Sequence, residues 1–493
     1  MKNYFALAAL AAFPYLASAT TLPQAPEQWR QAAIDDIEAG YRITQENHPG
    51  TYDQANPGFA GNLAAARTLG LRYAAKVTDA RGYEAAILAF HARVKDGHAG
   101  MYPSLPAGES YQPRWPGFVA AWRGDGLYVY AATGSVPAKG SRVVSCDGVP
   151  IRELVKSNVF AFLGREEEDG MWWGQAGKLF LDWGNPFINL PKRCRFEHSG
   201  KQSDLTLNWT PRSKEGYEWL DASQNGDQLP IGLSEPQPGL IWAAMPSFHP
   251  DEQGRAAYQA MFDEMKANRQ RLLSARAVVA DLRHNGGGSS LWSLSFSGAL
   301  WGEARVQRRV AAYFARTETW YRASKENVQF FASLADQLHR EGQVEPERWA
   351  RELVEKLQPA LQRGDIWAVS KGDAEAPAHP EADVEGDPAP FTRPLYVIVP
   401  GQCASACLDA LDYFTRFPNT KLIGAPSSAD STYMEVRRQQ LDSGRATVIV
   451  PTKVYVNRPR GNGEFYQPAI TVSALEWSTQ NLVQEIEADL KKR

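Results

Sequence analysis

The spacing of apolar residues changes character three times along the chain. From residue 20 to about 110 it is helical: Trp29, Ile34, Ile37, Tyr41 and Ile43 recur on one face, and Ala85, Ile87, Leu88, Phe90 and His91 do so within 82–94. The second run stops at Asp96-Gly97-His98-Ala99-Gly100, where glycines end a helix. Residues 111 to about 212 carry short strand-like runs, 117–121, 127–130 and 142–145, separated by turn residues. The polar stretch 213–228 reads as a linker.

From 229 to 493, strand and helix patterns alternate. Residues 240–245, 277–279 and 395–399 are continuous apolar runs expected as buried strands, and 256–273 is an amphipathic helix. Another helix is expected from about Ser290. This alternation predicts an α/β core around a largely parallel sheet. An insertion occupies about 306–390, with charged helices over 325–362 and an acidic, Pro-rich loop over 371–390. Trp320, Tyr321, Phe330 and Phe331 within it need an apolar partner, as a lid over a site or as a surface appendage.

Composition adds little to the pattern: 43% hydrophobic and 22% charged residues fit a globular protein, and a formal charge of −3 gives no footprint for nucleic acid. The N-terminus adds more. Met1-Lys2, an apolar run from Phe5 to Leu16 and Ala17-Ser18-Ala19 read as a secretory signal peptide, residues 1–19, cut after Ala19. No later run is long enough to span a membrane, so the mature protein is expected to be exported, to the periplasm in a double-membraned bacterium. An oxidising compartment makes disulfides of the four Cys reasonable, with Cys146 and Cys194 the natural pair. Cys403 and Cys407, four apart on a helix, are at a marginally bridgeable distance, and no nearby His or Cys completes a zinc site with them. No metal or organic cofactor is expected.

Two of the buried strands lead into candidate chemistry. The run 277–279 continues as Ala280-Asp281-Leu282-Arg283-His284-Asn285-Gly286-Gly287-Gly288, a turn whose bare amides suit an oxyanion hole. The run 395–399 continues as Gly401-Gln402-Cys403-Ala404-Ser405-Ala406-Cys407-Leu408, where a lone Ser sits at a strand-to-helix junction. An N-cap is the plainer role for such a Ser. Together the turn and the Ser suggest acyl transfer, with the N–H groups of Ala406 and Gly287 as donors and Gly286 and Gly288 as register alternatives.

These segments resemble the Asp-Leu-Arg-x-Asn-x-Gly-Gly and Ser/Thr-Ala-Ser-Ala-Ser-Glu motifs of S41-family serine peptidases, the tail-specific processing peptidases and the tricorn core among them. The resemblance implies a ClpP/crotonase-like α/β core, a peptidase acting on protein or peptide chains, and Ser405 as nucleophile. Residues 137–151 resemble the strand and turn of a PDZ domain, without a Gly-Leu-Gly-Phe-like loop. The implied organisation is a helical N-terminal domain over 20–110, a PDZ-like module over 111–212, a linker over 213–228 and a peptidase core over 229–493.

One departure decides the type. Tail-specific peptidases carry a Lys in Gly-Glu-Pro-x-x-Gly-Lys-Gly; the matching segment here is Gly424-Ala425-Pro426-Ser427-Ser428-Ala429-Asp430-Ser431, with Asp430 at the Lys position. Tricorn-like members resemble a Ser-His-acid arrangement, and Asp96-Gly97-His98 matches their Asp-Gly-His segment, which implies His98 as general base. His48, in His48-Pro49-Gly50, is read as structural. Glu435 is the first choice for the acid, on a strand face shared with Ser431 and Tyr433 by period-two alternation, with Asp430 and Glu464 as alternatives. A catalytically inactive binding protein on the same fold and a serine esterase or amidase are the rival readings. Oligomeric state is not legible.

Overall fold

The computed structural model describes residues 22–106, 111–370, 377, 379–382 and 386–492. The expected signal peptide, and parts of the acidic loop over 371–390, lie outside the described residues. Among the described residues no helix is long and apolar enough to cross a membrane.

A six-stranded sheet forms the centre. Its strands Gly232–Gln237, Leu240–Ala244, Ala277–Asp281, Leu395–Val399, Thr420–Gly424 and Ile470–Thr471 lie side by side in chain order, the first pair antiparallel and the rest parallel. Every residue of the three strands from Leu240 to Val399 is buried, as expected for parallel strands covered on both faces. Alternation sorts them between two layers. Ile241, Ala243, Val278, Ala280, Val397 and Val399 pack with Tyr258, Phe262, Phe296, Leu408 and Phe414 from helices on one face. Trp242, Val279, Tyr396 and Ile398 pack on the other face with Trp172, Trp173, Trp477 and Leu482.

A second sheet gathers strands from across the chain: Gly100–Pro103, Glu318–Arg322, Trp367–Ser370, Tyr433–Gln440 and Ala446–Val456. Gly100 pairs with Ile449 and Tyr433 with Val454. The helices Pro26–Asn47, Gly58–Ala74 and Ala80–Val94 share their core with Tyr433, Val448 and Val450 of this sheet. The 306–390 stretch is thus part of the fold. It supplies two strands, and its helices Lys325–Arg340 and Val344–Arg363 pack on Tyr321 and Ala368. Trp320 packs against the N-terminal helical cluster, Trp367 beside it.

A third sheet, Phe118–Arg123, Gly126–Ala132, Arg142–Cys146, Arg193–His198 and Lys201–Thr206, lies over the Trp242 face of the central sheet. Cys146 and Cys194 face each other across two of its strands and are disulfide-bonded, Cα–Cα 4.0 Å. The expected linker 213–228 is instead largely the helix Lys214–Asn225, capped by Ser213. Trp219 and Leu220 supply the reason, packing on Trp115, Val119 and Leu181. Tertiary burial overrides a polar composition there.

This layer comes close to the loops leaving the central sheet at Gly170, in the helix Asp169–Gln175, where an added Cβ would lie 2.4 Å from the carbonyl oxygens of Gly401 and Ser427. Gly-to-Ala inside a helix normally stabilises by about 1 kcal/mol. Here Gly170→Ala should have the opposite sign, a loss of roughly 1–3 kcal/mol from overpacking. A lower urea midpoint at unchanged m checks it.

Candidate active site

Parallel pairing sends two turns out at one sheet edge. Asp281 lies opposite Ile398, so the glycine turn and the segment after Val399 leave side by side. Such a carboxyl-end crevice is where open α/β sheets bind ligands. Ser405 enters the helix Ala406–Phe414 with φ 54° and ψ −126°, a backbone strained for an L residue. It stands at the N-cap position, but its hydroxyl makes no capping hydrogen bond, so the plainer role is not the one it plays. A strained strand-to-helix turn of this kind presents a Ser side chain outward.

The glycine turn crosses directly over this elbow. A Cβ on Gly287, whose φ is 110°, would fall 2.7 Å from Ala404 O, 3.0 Å from Ser405 Cβ and 3.3 Å from Ala406 N. Asn285 braces the turn: its Nδ2 donates to Met245 O at 2.9 Å and its Oδ1 accepts the Gly287 N–H at 2.9 Å. That bond corrects the expected oxyanion register, because the Gly287 N–H is already committed. Among the described residues the N–H groups of Gly286, Gly288 and Ala406 have no acceptor. Arg283 anchors the turn's root, donating to Asp281 (2.7 Å), Trp477 O (2.7 Å) and Thr479 Oγ1 (2.8 Å).

His98 lies between the helix Ala80–Val94, which ends at left-handed Lys95, and the strand Gly100–Pro103. Its Nδ1 is 3.0 Å from Asp430 Oδ1. The ring N–H is not aligned with that oxygen, and Asp430 Oδ2 has no hydrogen-bond partner. Catalytic contacts commonly tighten only when substrate binds. The distance makes this an ion pair when the ring is protonated, and leaves Nε2 as the other proton-accepting atom. Burial pulls the His98 pKa down, but the Asp430 carboxylate, together with Asp96, outweighs it and the net direction is up. For Asp430, burial pushes up, His98 and the guanidinium groups of Arg460 and Arg458 pull down, and the net direction is down.

The same arginines hold the Ser405 helix. Arg460 donates to Asp412 at 3.1 Å and to Asp409 at 3.3 Å; Arg458 donates to both carboxylates as well. Gly463 N–H then donates to Asp430 O at 3.0 Å, so 458–463 stitches the Ser405 helix to the Asp430 loop.

The other expected acids are elsewhere. Glu435 does not meet His98: its backbone is left-handed, φ 58°, and its carboxylate lies 3.3 Å from Lys453 Nζ. That kink breaks the strand alternation on which the assignment rested. Glu464 is exposed and accepts the Gly461 N–H of its own turn. Asp430, at the position where tail-specific peptidases have Lys, is the carboxylate beside the ring.

Two supporting acids carried no assigned role in the sequence. Buried Asp96 accepts the His98 N–H (2.8 Å) and Ser431 Oγ–H (2.8 Å) on Oδ1, and His48 Nε2 lies 2.9 Å from its Oδ2. His48 Nδ1 accepts the Gly50 N–H at 2.9 Å, which fixes the proton on Nε2. Burial lowers the His48 pKa, so this is a neutral hydrogen bond to a carboxylate. Asp96 thus ties His98 to the residue after Asp430. An Asp two residues before a His, able to accept its N–H, is the signal that marks it in sequence. Glu168, from the third-sheet layer, accepts Ser428 Oγ–H (2.7 Å) and Ala429 N–H (3.0 Å), and no local pattern announces it.

No protein-family model matches the sequence, and no curated protein matches it. Among solved structures, mature CPAF complexed with lactacystin is similar over 94% of this chain and 97% of its own, at 12% identity and TM-score 0.56. The CPAF s499a mutant is similar over 94% and 96%, at 12% identity and TM-score 0.58. The chain shares the CPAF fold across nearly its whole length.

Burial alone would raise the Asp96 pKa; the His48 hydrogen bond and the His98 N–H reverse this and hold it at about 2. A depressed carboxyl stabilises the fold above its unfolded pKa, about 3.9, and that share is lost as pH falls toward 2. Asp96→Asn should therefore lower stability at neutral pH and flatten the decline between about pH 4 and pH 2, read from denaturant midpoints across that range.

Proposed function

We propose that this chain is an exported, periplasmic serine peptidase of the S41 type that cleaves protein or peptide substrates, with Ser405, His98 and Asp430 as its triad. One observation carries the reading. The residue whose identity removes a Ser-Lys mechanism, Asp430, is the one whose carboxylate lies 3.0 Å from His98 Nδ1. The CPAF-like fold and the uncapped, strained Ser405 support the same assignment.

The steps follow from the groups present. Ser405 Oγ attacks the peptide carbonyl while His98 Nε2 takes its proton. The tetrahedral oxyanion forms beside the Ala406 N–H, aided by the partial positive charge of that helix N-terminus and a glycine-turn N–H from Gly286 or Gly288. His98 returns the proton to the leaving amine, the C–N bond breaks, and an acyl-enzyme remains on Ser405. Water, activated by the same imidazole, releases the acid product. Asp430 stays ionised throughout and stabilises the imidazolium. No metal or cofactor is required.

A fluorophosphonate probe should label Ser405, and Ser405→Ala should abolish labelling and peptide hydrolysis; labelling that persists in that variant would overturn the assignment. Asp430→Asn should cut turnover by roughly 10⁴-fold, while Glu435→Gln stays near wild type. The acid limb of kcat/KM should lie above the free-imidazole value of about 6.5, because Asp430 raises the His98 pKa. In Asp430→Asn burial prevails and the limb should move to lower pH. Lactacystin, the ligand in one CPAF complex, is the first inhibitor to try.

A further inference from the structure

Ser405 needs something to hold its strained backbone. We propose that the Cys403–Cys407 disulfide does so, and that the nucleophile is competent only while this bond is oxidised. The proposal rests on reading Ser405 as the nucleophile.

The two cysteines stand two residues before and two after Ser405 and are bonded, Cα–Cα 5.2 Å. Both are fully buried in the apolar layer under the elbow, whereas Ser405 is half-buried. Hydrogen bonds alone restrain the elbow poorly. Cys403 N–H donates to Pro400 O (3.1 Å), Cys407 N–H to Ala404 O (3.0 Å) and Asp409 N–H to Ser405 O (3.1 Å). Among the described residues the N–H groups of Ala404, Ser405 and Ala406 have no acceptor, and the Ser405 hydroxyl caps nothing. A residue with φ 54° persists only where its surroundings over-determine it. The disulfide closes this turn into a small ring and supplies the missing restraint.

The effect is local. A bond between residues four apart restrains the unfolded chain less than one closing a long loop, such as Cys146–Cys194 at a separation of 48. Near Ser405 the tolerance is small, because a Cβ on Gly287 would already sit 3.0 Å from Ser405 Cβ. Slack in the ring would shift Oγ and the Ala406 N–H against the glycine turn.

Opening the ring is thiol–disulfide exchange with a dithiol. One reductant thiolate attacks Cys403 or Cys407 Sγ, the protein S–S bond breaks, and a mixed disulfide forms. The second reductant thiol resolves it, leaving two protein thiols and one oxidised, cyclic reductant.

The test combines wild type under dithiothreitol with two double variants. Thiols are trapped by alkylation and located by mass spectrometry, and fluorophosphonate labelling of Ser405 is timed. Loss of the 403–407 bond, by reduction or in Cys403→Ala/Cys407→Ala, should slow labelling and kcat on the order of a hundredfold, as for a 1 Å misplacement. KM should change little and circular dichroism should stay native. Reoxidation should restore the wild-type rate. Cys146→Ala/Cys194→Ala should keep fast labelling that remains sensitive to dithiothreitol. Wild-type labelling with Cys403 and Cys407 alkylated, or in their folded Ala variant, would overturn the proposal. Failure of the nucleophile reading is separate: it appears as no labelling of Ser405 in the oxidised wild type, and removes both.

Discussion

The site depends on the parallel pairing of two strands, Ala277–Asp281 and Leu395–Val399. Parallel neighbours release their chains at the same edge, so the glycine turn and the Ser405 elbow emerge together. Burial on both faces fixes that register, because a slip of one residue would exchange the two sets of side chains between layers. With Trp242, Val279, Tyr396 and Ile398 on one face and Ile241, Val278 and Val397 on the other, such a slip has nowhere to go.

Around this apolar frame, charges are buried in sets. Arg283 meets Asp281, Arg458 and Arg460 meet Asp409 and Asp412, and Asp96 meets His48. Buried pairs of this kind are weak evidence for stability, since desolvation offsets much of their attraction. What they do here is directional. Apart from the local Arg283–Asp281 pair, each joins a segment of the site to one far away in sequence, and a carboxylate or guanidinium with fixed partners holds angles that apolar contacts leave soft.

What could be read from the sequence was what is local. The buried strands, the glycine turn, Ser405 at a strand-to-helix junction and the Asp-Gly-His segment are each written in a short window. The acid was not. Glu435 fits an alternating strand until φ at that residue turns positive, and Asp430 meets His98 only through pairing of the second sheet. The helix at 214–225 was hidden for the same reason, since its apolar partners, Trp115, Val119 and Leu181, lie well upstream. Which N–H groups of the glycine turn stay free depended on one side-chain bond, from Gly287 to Asn285, that spacing does not reveal.

The second sheet has a consequence in time. Residue 98 is made early, but the strand that seats it, Ala446–Val456, is near the end of the chain, and Asp430 comes only shortly before. A growing polypeptide therefore has His98 long before it has the carboxylate that meets the ring. Pairings this distant in sequence form late in folding. On the peptidase reading proposed above, an enzyme assembled in this order stays harmless to its own unfinished chain until almost all of it is present.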